Sequence, residues 1–252
     1  MNIAFNTANL VGRVAGYQIQ LSRWGEYHKR TVQETDDAAW YAICQEIAET
    51  GFKAVEVWEA HAAPETMTEA RASLWLNIME DHGLEPIAYA GSFRPETVDV
   101  CRWLDVPMIN GSTALSPADA AELAARSGVR FNFENHPQKS AAEILEVIGG
   151  GNDWLGVCID TGWLGTQGVN APSVIRDCGQ LVRHLHCKDV IAPGAHETCL
   201  LGTGEVDLIG CIEALRDWEY RGWYSWEDEP EDRDPMESAA ANRQWLEGHI
   251  LR

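Results

Sequence analysis

The stretch "VRFNFENHP", residues 129–137, decides how the rest of the chain is read. It begins as a buried strand and ends in a carboxylate, an amide, an imidazole and a proline. Side chains alternate along a strand, so Asn132, Glu134 and His136 share one face while Phe131 and Phe133 take the other. An apolar strand that stops on Glu134 and His136 is either the start of a surface loop or the edge of a working site. Seven further stretches have the same look. They are 2–6 (NIAFN), 54–58 (AVEVW), 85–90 (EPIAYA), 106–111 (VPMING), 155–160 (LGVCID), 182–189 (VRHLHCKD) and 223–227 (WYSWE).

Helix signals lie between the strands. Thr35 precedes DDAAWYAICQEIAET, which stops at Gly51. Ser116-Pro117 opens ADAAELAARS, with Gly128 at its exit. Ser140 and Glu143 have capping-box spacing ahead of ILEVI, which GGG closes. Asp234-Pro235-Met236-Glu237 starts the last helix. Capping side chains satisfy free N–H groups, proline suits a first turn and glycine takes the left-handed exit. Eight strands alternating with helices in 252 residues predict an α/β protein, a single (β/α)8 TIM barrel whose one domain spans residues 1–252. The rival, a doubly wound open sheet, ordinarily carries a glycine-rich phosphate turn after its first strand. The nearest candidate, LGTGEV at 201–206, reads as a turn.

Composition narrows the function. With 39 acidic against 19 basic residues the net charge is −20, which repels phosphate backbones and anionic membranes, so neither nucleic acid nor a membrane is the expected partner. No apolar run approaches the roughly 20 residues of a membrane helix, and MNIAFNTANL has no basic region ahead of its apolar residues, so no secretory leader is expected. The 7 cysteines are scattered, which argues against a disulfide framework and for a cytoplasmic location.

In a barrel, reactive side chains project from the C-terminal strand ends. The last four strands end on Glu134, Asp160, His186 and Glu227. Alternation lets all four face inward together. Taken singly, a strand-end carboxylate is ordinarily a helix cap, His186 could be a bonded core histidine, and Glu227 sits in the acidic run EDEPEDRD, where Glu229 is also in phase. Taken together, three carboxylates and an imidazole suit one hard divalent cation, and without one the carboxylates would repel. Mn²⁺ is the first choice, with Mg²⁺, Co²⁺ and Zn²⁺ as alternatives.

At these positions the sequence resembles the xylose isomerase-like barrel superfamily, in particular the sugar phosphate isomerase/epimerase (AP endonuclease family 2) proteins. FNFENHP is similar to that family's fifth-strand motif, VCIDTGW to its sixth, HLHCKDV to its seventh and GTGEVDL…YRGWYSWEDE to its eighth. The resemblance implies metal ligands at Glu134, Asp160, His186 and Glu227. It also implies a metal-dependent isomerase or epimerase acting on a small sugar through a metal-stabilised enediolate, and leaves room for a homo-oligomer. The sequence departs from many relatives at Trp163, where they carry His, and that departure argues against DNA repair. The ENH variant is shared with lyase-like deglycosidases, so a lyase acting on a keto-sugar derivative stays open, as does a non-catalytic metal- or sugar-binding barrel.

Proton transfer beside a carbonyl would fall to Glu134 and Glu227. His61, His136, Trp163 and Lys188 are expected to line the substrate site. Lys188 could neutralise developing charge, or simply pair with Asp189. His196 sits in a long loop after the seventh strand.

Overall fold

The computed structural model describes residues 2–251. Eight parallel strands close on themselves in chain order: β1 (Ile3–Asn6), β2 (Ala54–Trp58), β3 (Glu85–Ala90), β4 (Met108–Gly111), β5 (Arg130–Glu134), β6 (Leu155–Asp160), β7 (Val182–Cys187) and β8 (Trp223–Trp226). Around them lie α1 (Trp24–Glu34), α2 (Asp37–Glu49), α3 (Glu69–Asp81), α4 (Pro95–Trp103), α5 (Pro117–Ser127), α6 (Ala141–Val147), α7 (Thr161–Thr166), α8 (Ala171–Cys178), α9 (Leu208–Arg216) and α10 (Met236–Ile250). This is the (β/α)8 barrel expected from the sequence.

Strand alternation sorts the core into two chemistries. Residues facing the helices are apolar: Phe5, Val57, Tyr89, Ile109, Phe131, Phe133, Val157, Ile159, Leu185 and Trp226 belong to one continuous buried cluster. Residues facing the axis differ along its length. A small apolar plug of Ala4, Ala54, Ile87 and Ala88, with Met108 and Trp223 against it, closes the N-terminal end. Above the plug the interior is polar, with Asn6, Glu56, Asn110, Asn132, His184 and Ser225 all fully buried. Buried polar groups are tolerated only when bonded, and these bond mainly to one another.

The caps act close to expectation. Ser116 accepts from the Asp119 N–H, Ser140 from the Glu143 N–H, and Gly128 takes the left-handed exit at φ 76°. The start of α2 differs by one residue. Asp36 is its cap, accepting from the Ala39 N–H at 2.8 Å, while the Thr35 hydroxyl turns back to the Thr31 carbonyl at 2.7 Å. β4 starts at Met108 rather than at Val106, after Pro107, which has no N–H to give to a ladder. β7 ends at Cys187 because the Lys188 N–H leaves the ladder for the Thr161 hydroxyl, 3.0 Å away. The sequence gives little sign of Thr7–Ala15, a 3₁₀ helix that covers one side of the barrel mouth.

LGTGEV is a turn, and Asp189 holds it. The buried Asp189 carboxylate accepts from the N–H groups of Val190 and Val206 through Oδ1, both at 3.0 Å, and of Gly202 and Gly204 through Oδ2, at 2.9 and 3.0 Å. Asp189 is therefore an internal anchor for the loop after β7 and is not the partner of Lys188. Asp189→Ala leaves four N–H donors without a charged acceptor, so it should lower unfolding stability by roughly 3 kcal/mol or more. Urea denaturation checks this: the midpoint should fall with an unchanged slope, and a midpoint equal to the wild type's would refute the anchoring role.

Candidate active site

The mouth of the barrel opens into a cavity of about 570 Å³ lined by residues that include Glu134, His136, Trp163, His186, Lys188 and Glu227. The side chains at its floor form a closed circuit of alternating sign. Glu134 Oε2 lies 3.6 Å from His136 Nδ1, and His136 Nε2 lies 3.2 Å from Asp160 Oδ2. Asp160 Oδ2 is 3.9 Å from Lys188 Nζ, which is 3.7 Å from Glu227 Oε2. Glu227 Oε2 is 3.4 Å from His186 Nδ1, which is 2.6 Å from Glu134 Oε1. Asp160 itself is fully buried behind His136 and Lys188.

Local structure explains each placement. β5 and β6 pair in unbroken register, and β6 and β7 pair with a one-residue shift between Val157 and Cys158, after which Asp160 stands beside His186. The Asn135 side chain bridges β5 to β6 by accepting from the Asp160 N–H at 2.8 Å and donating to the Asp160 carbonyl at 3.1 Å. Asn6 Nδ2 donates to Glu227 Oε1 at 2.8 Å. Gly162 leaves room for the Lys188 stem, since a Cβ there would stand 2.4 Å from Lys188 Cγ.

Beneath the circuit lies a carboxylate that the sequence analysis did not single out. Glu56, in the middle of β2, is fully buried. It faces His184 Nε2 at 2.9 Å and His186 Nε2 at 3.1 Å, and it accepts from Asn110 Nδ2 at 2.6 Å. Burial alone would raise its pKa, but His184 and His186 outweigh burial and hold it well below the ordinary carboxylate value. An ionised carboxylate only accepts hydrogen bonds. Both Nε2 atoms therefore carry the proton, and His186 turns Nδ1 toward Glu134 and Glu227.

That arrangement tests whether a cation fits. In a neutral His186 the Nδ1 lone pair would point at a carboxylate oxygen 2.6 Å away, an unfavourable contact. Either a second proton or a cation must fill the gap. Without a cation the proton does so, and neighbouring charges, Glu227, Glu56 and Glu134 among them, overcome burial to raise His186 well above its ordinary value. Two carboxylates, Glu134 and Glu227, converge on His186 Nδ1, a donor set that suits a divalent cation such as Mn²⁺ or Mg²⁺, while Asp160 is set back and grouped with Glu134 and His136. The carboxylates do not titrate alike. Burial pushes Glu227 up to about 7, with Glu229 adding to the rise. Burial acts on Glu134 the same way, but His186 and His136 outweigh it and lower Glu134. Burial likewise opposes ionisation of Asp160, and Lys188 and His136 overcome it. Burial disfavours the His136 cation, yet Glu134 and Asp160 lift that imidazole to about 9.

Other expected residues find different places. Glu229 does not reach His186. The chain leaves the strand after Trp226, Glu229 adopts a left-handed φ of 52°, and its Oε2 holds Lys188 Nζ at 2.5 Å. Trp163 opens α7, where its N–H donates to Asp160 Oδ1 at 2.9 Å and its ring meets His136 edge-on at 4.8 Å. His196 reaches the cavity rim and lies 5.2 Å from the Trp163 ring.

His61 is not among the cavity-lining residues. It lies buried behind Trp58, with Nδ1 3.1 Å from the Thr7 hydroxyl, because the chain after β2 turns inward over the 3₁₀ helix. Three lining residues absent from the sequence reading are Trp24, Trp58 and Glu59. Glu59 carries Arg94 at 2.6 Å and the Ser92 N–H at 2.7 Å.

A family model described as xylose isomerase-like TIM barrel matches residues 114–249, more than half of the chain, and the chain belongs to that family. No curated protein matches it in sequence. Among solved structures, an L-ribulose 3-epimerase superposes with a TM-score of 0.72 at 16% identity, covering 99% of this chain and 94% of that one. A probable 3-DHS dehydratase from Bacillus anthracis superposes at 0.69 and 17% identity, over 98% and 99%. A xylose isomerase domain protein from Planctomyces limnophilus superposes at 0.68 and 21% identity, over 81% and 90%. These likenesses establish the fold. Among the described residues, no helix is long and apolar enough to cross a membrane.

Burial makes His61 a probe of stability. It depresses the imidazole from 6.5 to about 3, with the charges of Arg13 and His28 adding to the effect. Between those values the unfolded chain binds a proton that the folded chain does not, so stability falls as pH drops from 6.5 toward 3. His61→Gln should remove up to about 1.4 kcal/mol per pH unit of that slope. Parallel slopes for variant and wild type in urea melts across this window would contradict the burial argument.

Proposed function

We propose that the protein is a divalent-metal-dependent sugar isomerase or epimerase that moves a proton at the carbon beside a carbonyl. The observation that carries the reading is the pair of carboxylates that flank His186 Nδ1 at the cavity floor, Glu134 at 2.6 Å and Glu227 at 3.4 Å. Glu134 suits the base and Glu227 the returning acid; without a cation, burial lifts Glu227 to about 7, whereas His186 and His136 outweigh burial at Glu134 and lower it. The names of solved structures sharing the fold, a D-psicose 3-epimerase, a D-tagatose 3-epimerase-like protein and an L-ribulose 3-epimerase, agree with it.

Glu134, Asp160, His186 and Glu227 would hold the cation, with Mn²⁺ the first choice. Once bound, it would polarise the substrate carbonyl and favour charge on that oxygen. The chain's own groups do the rest. Glu134 takes the proton from carbon. Glu227 delivers one to the opposite face of the same carbon for epimerisation, or to the neighbouring carbon for isomerisation. Lys188, held by Glu229, places a fixed positive charge beside both Asp160 and Glu227. His136, set between Glu134 and Asp160, would line the substrate side of the floor and hold both carboxylates in place. Trp163 and the apolar rim exclude water.

A second reading is elimination rather than proton return. It has the support of one neighbour's name, the probable dehydratase. The same base would remove the proton, and the acid at Glu227 would protonate a departing group instead of carbon.

Turnover in Mn²⁺ tests both. Glu134→Gln and Glu227→Gln should each lower activity by about 10²–10⁴-fold with metal saturating. In deuterated water, Glu227→Gln should still wash label into the substrate carbon while forming little product, whereas Glu134→Gln should do neither. Full activity in both variants would rule out the two-carboxylate mechanism, and loss of a group from the product would favour elimination.

A further inference from the structure

The cavity also carries information about charge. Among the described residues no arginine lines it, and Lys188 is its one lysine. Lys188 is already engaged by Glu229, Glu227 and Asp160, and His136 stands between Glu134 and Asp160. Anion sites are commonly built from backbone N–H groups at helix starts and glycine turns. At this mouth several such groups are already taken by the chain's own acceptors. The Ala8 N–H goes to Asn6, the Ser92 N–H to Glu59, and the Trp163 N–H to Asp160. The Gly202 and Gly204 N–H groups of the glycine turn go to Asp189. Over the floor a phosphate would face the carboxylates of Glu134 and Glu227.

The walls are aromatic instead. On one side Trp24 packs against Trp58 with ring centres 5.9 Å apart, and His28 meets Trp58 edge-on at 5.3 Å. On the other side stands Trp163. Leu21 extends the first wall at the rim and is 39% exposed. A cavity of about 570 Å³ lies in the range that encloses drug-sized ligands, which leaves space beyond a single sugar ring.

We propose that the cavity takes an uncharged sugar that carries a keto group and is joined to an apolar ring, with the sugar over the carboxylate floor and the ring against Trp24 and Trp58, and that it does not take a sugar phosphate. The inference rests on the reading that the floor handles a sugar. It adds the charge and the second half of the ligand. Wall and floor divide the work: polar groups below orient the sugar hydroxyls, and apolar burial above supplies affinity.

Calorimetric titration of the Mn²⁺-loaded protein with methyl β-D-glucoside, phenyl β-D-glucoside and D-glucose 6-phosphate tests it without requiring turnover. The phenyl glucoside should bind about tenfold more tightly than the methyl glucoside, the size of gain expected from one aromatic contact plus buried area. The 6-phosphate should bind no more tightly than the methyl glucoside. Trp24→Leu should erase the phenyl advantage, and Trp24→Tyr, which keeps a ring, should retain most of it. Equal affinity for the two glucosides, a phenyl advantage untouched by Trp24→Leu, or tighter binding of the phosphate would each overturn the inference. Failure to bind either glucoside would overturn the inference, while the proposed reaction stands or falls on the deuterium wash-in with a substrate that has a carbonyl. Loss of the deuterium wash-in with the phenyl preference intact would overturn the proposed reaction and leave the ligand class standing.

Discussion

Everything at the barrel mouth depends on how one imidazole is held. His186 sits between a buried carboxylate below and two carboxylates above, and it has only two ring nitrogens to satisfy three acids. Glu56 is ionised and deeply buried, so it claims Nε2–H. Nδ1 is then committed to the cavity, where Glu134 and Glu227 converge on it. A carboxylate behind a metal-binding histidine fixes its tautomer and makes it a better donor. The charge pattern of the floor, the separation of Glu134 from Glu227 and the aim of the candidate ligands follow from this constraint.

The fold makes the constraint affordable. The polar residues that surround Glu56 come from five different strands, and each is fully buried: Asn6 on β1, Asn110 on β4, Asn132 on β5, His184 on β7 and Ser225 on β8. A closed barrel can put them on one axis because alternation directs every second residue inward. An apolar plug lies beneath this layer at the far end. The low dielectric that results makes each pairing count for more than it would at a surface.

Much of this was legible in the sequence. The strands could be placed within a residue or two because their outward faces are Phe, Val, Ile and Leu, and because caps such as Ser116 and Ser140 mark the helices. The strand-end acids were visible through alternation alone. Glu56 was not. "AVEVW" reads as an apolar strand, and one acid within it looks like a solvent-facing residue until closure shows that neither face of a barrel strand is wet. A buried acid in such a strand needs partners, and His184 and His186 lie more than 120 residues away. His61 erred in the opposite direction. Its position after β2 suggested the mouth, but it lies buried behind Trp58, with Thr7 of the Thr7–Ala15 3₁₀ helix as its partner. Trp24 escaped notice for a related reason: it is brought to the cavity by a segment that belongs to no strand–helix unit. The Glu227–Glu229 ambiguity was a matter of where β8 ends, and the left-handed turn at Glu229 settles which acid stands beside His186.

We propose that His186, oriented by Glu56, presents Nδ1 to a cation that Glu134, Asp160 and Glu227 would share. A crystal grown with Mn²⁺ and measured at the manganese absorption edge tests it most directly. One strong anomalous peak per chain is expected, bonded to His186 Nδ1 and to oxygens of those three carboxylates, with Glu56 still on Nε2 and outside the coordination shell. A peak bonded to Glu56 and His184 instead, or no peak at the barrel mouth in a crystal soaked to saturation, would contradict it.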